Sequence, residues 1–319
     1  IKKPSKNCYV SIKLSGKWLS NFEQASTKNK ETITINYSHN NYQLNEDERT
    51  KLDSIVLSGG FFMNSVLNGK ITSVTPFKNI YVSYAPADLG NSMGAALYVN
   101  HVILKQKRYF NFNSSYLGPE FSSDEIEKIL KNNKISYEKL DKRNKILAKL
   151  LSEKNVIAVF KGKAEFGERA LGNRSILADP RDETMKDKIN SIIKYREKYR
   201  PFAPSVIYEE SHKYFEVPKN YECFFMEKVI PVKESFRDKL PAITHIDGTA
   251  RLHTVKYEHN ESFYDLLNEF KKITSFPVLL NTSFNTNGEP IVNTPNDALK
   301  TFSKSGLEYL VLNDFLIKK

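Results

Sequence analysis

From Ser54 onward, short apolar runs alternate with segments whose apolar residues recur every three or four positions, the rhythm of buried strands followed by amphipathic helices. "SIVLSGGFFMNSVLNGKI" predicts a strand at Ile55–Leu57, a Gly-Gly turn, and a helix from about Phe62 to Asn68 that Gly69 ends. "IYVSYAP" predicts a second strand, and "ADLGNSMGAALYVNHVIL" a turn leading into a helix. This repeated strand–turn–helix order predicts an α/β domain. Ahead of it, the polar first fifty residues hold two strand-like runs, "CYVSIKLSG" and "ETITINYS".

Residues 106–123 lose periodicity and carry Asn, Ser, Gly and Pro, the mark of a linker. Ser123, with Glu125 and Ile126 behind it, opens a helix, and "EKLDKRNKILAKLLSEKN" predicts a second, strongly amphipathic one. "VIAVF" (156–160) predicts a compact buried strand. A helix over 183–198 follows, then a turn and strand in "RPFAPSVIYEE". "PAITHIDGTARLHTV" and "FPVLLNTSFNTNGEPIV" predict strand-and-loop segments, with helices near 261–272 and 296–305. "LEYLVLNDFLIKK" supplies a last strand.

Composition sharpens this picture modestly. The 319 residues suffice for two domains with their own cores. A hydrophobic content of 40% and a charged content of 27% are ordinary for a soluble globular protein, and no apolar run nears the roughly 20 residues that cross a bilayer. "IKKPSKNCYV" has no apolar core of a signal peptide, and the chain does not begin with Met, so a fragment, or a chain whose N-terminal part is missing, is expected. Cys8 and Cys223 lie far apart outside any CxxC pattern, which argues against a disulfide framework or a zinc cluster; a reducing cytoplasm is the expected setting. The net charge of +11 comes from lysines scattered among Asn and Glu, the look of solvated helix faces. Small-anion binding is therefore favoured over nucleic acid.

Candidate chemistry concentrates in the second half. In "VFKGKAEFGERALGNRS", glycines let backbone N–H groups approach a ligand while Lys161, Lys163, Arg169 and Arg174 would surround phosphate oxygens. "KYREKYRPFAPS" adds Lys194, Arg196 and Arg200, with Ser205 at its end. Lys194 and Arg196 diverge on a continuous helix and converge only where the helix has ended, and Pro201 marks such an exit. "ITHIDGTARLHT" places His245, Asp247, Thr249 and Arg251 around Gly248, and "LLNTSFNTNGEP" packs Asn281, Thr282, Ser283, Asn285 and Asn287 behind an apolar run. Singly, each segment reads more simply as a charged face, a core histidine or an Asx/Ser turn. Together they are harder to dismiss.

"EFGERALGNRSILADPR", "MKDKINSIIKYREKYRPFAPSV", "PAITHIDGTARLHTV" and "PVLLNTSFNTNGEPIV" occur in this order and at a spacing that resembles the C-terminal domain of the O-carbamoyltransferases of NodU/TobZ type. "LSGGFFMNSVLNGKI" and "APADLGNSMGAAL" look like the closing half of that family's N-terminal domain. The resemblance, over roughly residues 54–319, implies two units. Residues 1–110 would be the C-terminal part of an actin/Hsp70-like (ASKHA) carbamoyl-transfer domain. Residues 111–319 would be a YrdC-like domain, a twisted mixed sheet flanked by helices, that makes carbamoyl-adenylate from ATP and carbamoyl phosphate.

By the same resemblance, Lys163, Arg169, Arg174 and Ser175 look like carbamoyl-phosphate and phosphate ligands, Lys194, Arg196 and Arg200 would neutralise departing pyrophosphate, and Arg251, Asn281 and Ser283 would close the pocket. Mg²⁺ would accompany ATP. Gly59, Gly60 and Asn64 resemble a nucleotide-binding turn, and Asp88 matches a ligand for Fe²⁺ or another divalent metal in the transfer domain. The family's upstream His-x-x-x-His pair has no counterpart here, so that metal site is incomplete. Glu168 stands where the family usually has Pro, and His253 where it usually has Gln. The implied partners are carbamoyl phosphate, ATP, a small-molecule alcohol such as a sugar or antibiotic, and a separate N-terminal half. The rivals are a non-catalytic YrdC-like RNA- or nucleotide-binding module, and an interaction subunit with an exposed apolar face.

Overall fold

The computed structural model describes residues 9–13, 34–39, 42–43, 53–75, 77–108, 114–197 and 199–319. Strands β1 (Tyr9–Lys13), β2 (Thr34–His39) and β3 (Tyr42–Gln43) form an antiparallel sheet; β1 and β2 fall on the two runs expected to be strands, and β3 lies outside them as an unexpected third. Strand β4 (Ser54–Leu57) pairs in parallel with β5 (Asn79–Val82), and helix α1 (Ser65–Val74) connects them. Ile55 and Leu57 turn inward with Ile71, Phe77 and Val82, while Val56 between them is 67% exposed, as period-two alternation requires. Helix α2 (Leu89–Tyr98) follows and runs on into a π-helical turn at Val99–Ile103.

Gly69 does not end α1. The helix begins later than expected, at Ser65 behind a 3₁₀ turn (Gly60–Met63), and passes straight through Gly69. There it crosses the edge of a neighbouring strand so closely that a Cβ on Gly69 would lie 2.0 Å from the carbonyl oxygen of Val229. This glycine serves a backbone approach, not a stop.

The second part of the chain is built on one mixed sheet. Its strands are β6 (Glu138–Lys139), β7 (Ile157–Phe160), β8 (Arg174–Ala178), β9 (Ala203–Ile207), β10 (Lys228–Pro231), β11 (Thr249–Val255), β12 (Val278–Ser283), β13 (Tyr309–Leu312) and β14 (Phe315–Lys318), in the order β10-β11-β9-β12-β8-β7-β13-β14-β6. Only β11–β9 and β13–β7 are parallel. The expected single last strand is two, because Asn313 adopts a left-handed conformation (φ 50°) and folds the chain back in a two-residue turn. Helices cover both faces. On one, α3 (Ser123–Asn132), α5 (Met185–Ile189) and α7 (Pro295–Lys304) pack over Ala158, Phe160, Val278 and Leu280; on the other, α4 (Arg143–Ser152) and α6 (Glu261–Thr274) pack over Ile157, Val159 and Leu279. That two-sided burial explains why β7 reads as an unbroken apolar run.

Helix starts are chemically explicit. Helix α3 opens at Ser123 as expected, behind a capping box of Ser122 and Glu125, and Thr294 and Asp297 form another at α7. Residues 114–122 of the expected linker are bonded to the sheet's loops: Gly118 N donates to Ala164 O (2.9 Å) and Ala164 N to Pro119 O (2.9 Å). A third core cluster, with Tyr84, Ala85, Leu171, Tyr208, Phe224 and Phe225, joins the first part of the chain to the second.

Candidate functional site

At one end of the interior strands β9, β11 and β12, a cavity of about 420 Å³ is walled by five segments distant in sequence: 168–170, 194–203, Met226, Arg251, and 281–287. Five cationic side chains meet there, those of Arg169, Lys194, Arg196, Arg200 and Arg251. The sharpest local feature is the helix end that delivers two of them. Helix α5 passes at Asn190–Lys194 into a π-helical turn, which Tyr195 ends in a left-handed conformation (φ 45°). Lys194 is therefore the last helical residue and Arg196 leaves on a new course, so that both reach one cavity. Single π-helical turns of this kind recur at functional sites.

Lys194 Nζ is held by four oxygens: Ser283 O (2.6 Å), Ser283 Oγ (3.2 Å), Asn285 O (3.1 Å) and Asn285 Oδ1 (3.1 Å). Burial, and then the like charges of Arg196 and Arg200, push its pKa down to about 7. Burial followed by Arg169, Arg196 and Arg200 pushes Arg251 down to about 10, and burial with Arg200 does the same to Arg196. Arg251 Nε donates to Ser65 Oγ of α1 (3.1 Å), which anchors the cavity wall to the first part of the chain. Arg196 stacks on Phe202, with 4.5 Å from Cζ to the ring centroid, and donates from Nη2 to Pro201 O (3.3 Å). These cations repel one another; among the described residues Glu168 is the one acidic side chain in the cavity wall, and Glu197 pairs with Arg200 (3.8 Å) from outside it. A polyanion answers that imbalance.

The structure sends other candidates elsewhere. Lys161 pairs with Asp314 (3.1 Å) in a separate groove of about 810 Å³ between α4 and α6. In that groove Lys142, Lys145, Lys271 and Lys272 face Asp265, Glu269 and Asp314, so opposite charges already meet. Lys163 is exposed, and its carbonyl accepts from Asn173 Nδ2 (2.7 Å). Arg174 is 1% exposed; its terminal nitrogens donate to the carbonyls of Pro119, Lys161, Gly162 and Asn173 while its guanidinium lies 3.6 Å from the Phe160 centroid. Those bonds make Arg174 the clasp of the 161–173 loop, and only its Nε remains without a partner. Ser175 Oγ accepts from Gly172 N (2.9 Å) inside the same loop.

His245 and Thr249 close their own turn: Thr249 Oγ1 donates to Asp247 Oδ1 (2.6 Å) and sits 3.0 Å from His245 Nδ1. Ser205 is fully buried beneath the cavity and touches it through Asn281. Asn64 caps α1 by accepting from Leu67 N (3.1 Å), and Gly59 (φ 110°) donates its N–H to Pro86 O (2.6 Å). Asp88 stands exposed ahead of α2, and among the described residues no group of three or more His, Cys, Asp or Glu is placed to hold a metal. The described residues thus do not fit the implied metal.

One organiser gave no signal in the sequence. Glu165 Oε1 accepts from Leu171 N (2.6 Å) and Asn173 N (2.9 Å), folding the loop that carries Arg169, while burial raises its pKa. Its Oε2 lacks a partner in a second cavity, of about 480 Å³, which shares Glu168, Ser283 and Asn285 with the first. That role depends on how the loop closes, which no spacing reveals.

Residues 148–319, more than half of the chain, match a family model described as "Carbamoyltransferase C-terminus", and residues 22–97 match "Carbamoyltransferase N-terminus". The chain is 44% identical over 276 residues to nodulation protein NolNO of Sinorhizobium fredii, covering 85% of this chain and 41% of that protein. It is 41% identical over 274 residues to nodulation protein NolO of Bradyrhizobium diazoefficiens (85% and 50%). It is 32% identical over 248 residues to nodulation protein U of Azorhizobium caulinodans (77% and 42%). The chain thus spans about half the length of these relatives or less. The crystal structure of full-length HypF in the phosphate- and nucleotide-bound form matches 58% of this chain and 23% of its own at 19% identity, with a TM-score of 0.39, too low to carry an argument. Among the described residues no helix is long and apolar enough to cross a membrane.

Proposed function

The chain belongs to the carbamoyltransferase family, and from that premise we propose that its cationic cavity activates a carbamoyl group on ATP. Carbamoyl phosphate and water supply carbamate and phosphate; a carbamate oxygen then attacks the α-phosphorus of ATP, and pyrophosphate leaves as carbamoyl-adenylate forms. The longer family members would complete a transfer domain in which the adenylate passes its carbamoyl group to an alcohol of a small acceptor, with AMP as the other product.

The observation that supports this reading is the meeting of Arg169, Lys194, Arg196, Arg200 and Arg251 around one cavity of about 420 Å³. Adenylate formation needs no protein nucleophile. It needs fixed cations that hold two anions in line and stabilise the charge that develops on the leaving group. Arg196 and Arg251 approach with planar guanidinium groups suited to phosphate oxygens, and Lys194 contributes a point charge at the strand end. Mg²⁺ would arrive with the nucleotide and bridge its phosphates.

Arg169→Ala and Arg200→Ala are each expected to lower carbamoyl-phosphate-dependent ATP–pyrophosphate exchange by about 10²-fold or more, the usual cost of one charge-stabilising donor. Arg200 is about half exposed, so its variant keeps the thermal midpoint of the parent. Exchange at the parent rate in both variants removes the cavity from the reaction.

A further inference from the structure

Two buried side-chain atoms in the wall of the cationic cavity have no partner among the described residues: Arg196 Nε, a donor, and Asn281 Oδ1, an acceptor. Phosphate oxygens answer the donor but offer nothing to the acceptor. An amide, with a C=O and an N–H side by side, answers both.

Asn281 is 1% exposed, and its orientation is fixed by chemistry. Its Nδ2 donates to Ala170 O (3.3 Å) and to Ser205 Oγ (3.0 Å). A backbone carbonyl can only accept, so the amide nitrogen must face Ala170 and Oδ1 must face away. Ser205 Oγ lies 2.8 Å from His253 Nδ1, and both residues are buried. Burial above all, and then His259, pushes the pKa of His253 down to about 3, so the ring is neutral at any ordinary pH. Ser205 Oγ already accepts from Asn281, which leaves its proton to go to Nδ1. Ser205 Oγ and Asn281 Nδ2 are thereby satisfied, and Asn281 Oδ1 is left without a partner among the described residues. The strands align this row: Ser205 on β9 is the register partner of His253 on β11, and Asn281 on β12 is the partner of Ala203, two residues along β9 on the same face.

We propose that Asn281 Oδ1 reads the NH₂ of the bound carbamoyl group, and that Ser205 and His253 are positioning residues that hold it in that orientation. The proposal rests on the carbamoyl-phosphate reading given above. It makes Asn281 the specificity residue that separates carbamoyl phosphate from acyl phosphates of the same shape. Acetyl phosphate is the discriminating probe, because a methyl group replaces the NH₂ and no N–H remains. A site that hydrogen-bonds a substrate N–H rejects the analogue that lacks it.

The test is calorimetric titration of the 319-residue chain with carbamoyl phosphate, acetyl phosphate and inorganic phosphate. The parent is expected to prefer carbamoyl over acetyl phosphate by at least about tenfold, and Asn281→Leu to bring that ratio within about threefold of unity. His253→Leu should lose the preference likewise. His253→Gln should keep it, because a Gln oxygen still accepts from Ser205. The ratio of two affinities is insensitive to general loosening of the cavity, and the His253 pair carries the test if Asn281→Leu does not fold. No preference in the parent, an unchanged ratio in Asn281→Leu, or equal ratios in the two His253 variants overturns the assignment while carbamoyl-phosphate binding stands. A parent that binds none of the three anions overturns the carbamoyl-phosphate reading, and this assignment with it.

Discussion

Lys194 sits among four oxygens with two guanidinium groups beyond them, and its protonation is coupled to what binds. In the free protein its pKa is pushed down to about 7, so the amine is largely neutral above that pH. A bound anion favours the ammonium form and raises the pKa, so binding takes up a proton. Affinity for an anion that does not itself titrate, such as sulfate, is therefore expected to fall as pH rises from 7 to 9, by up to about tenfold per unit. In Lys194→Met the same calorimetric profile should be weak and flat over this range. The residue types of this site were legible: Lys194, Arg196, Arg200 and Arg251 are conspicuous in the sequence and do meet. Lys161 and Arg174 are equally conspicuous, yet one meets Asp314 and the other is consumed by four carbonyls. Formal charge is visible in a sequence; the partners that satisfy it are not.

At the scale of elements, periodicity carried well wherever one face is buried. Helix α6, expected at 261–272, runs Glu261–Thr274 from an Asn260 cap, and α7, expected at 296–305, runs Pro295–Lys304. The readings that failed involve long-range contact. Gly69 reads as a helix stop in isolation, but a neighbouring backbone makes it a crossing point. Gly69→Ala should therefore destabilise the protein by about 2 kcal/mol or more, because the new methyl group meets the rigid Val229 carbonyl and not a side chain that can turn aside. Chemical denaturation measures this directly; a change below about 0.5 kcal/mol would show that α1 does not press on β10. The helix expected over 183–198 ends at Lys194, four residues early, because Tyr195 turns left-handed where Lys194 meets the β12 loop.

Across the whole molecule, the described residues of the two parts of the chain differ in how far their sheets are covered. The nine-stranded sheet is covered on both faces, whereas among the described residues β4 and β5 form a two-stranded parallel pair, an arrangement normally found inside a larger sheet. Beside it, Leu89, Tyr98, Val99, Val102, Ile103 and Leu104 are each about half exposed or more. Such a row fits a surface on which a further unit could pack. Ile103→Asp removes no buried contact here and should shift the thermal midpoint by less than about 1 °C; a large loss would mean that this surface is already packed within the chain. The cationic cavity lies in the better-covered part. Activation of carbamoyl phosphate by this chain alone is the central prediction. The direct measurement is exchange of labelled pyrophosphate into ATP by the purified, folded chain with Mg²⁺. Exchange that appears only when carbamoyl phosphate is added is the predicted result; no exchange, or exchange indifferent to carbamoyl phosphate, would contradict it.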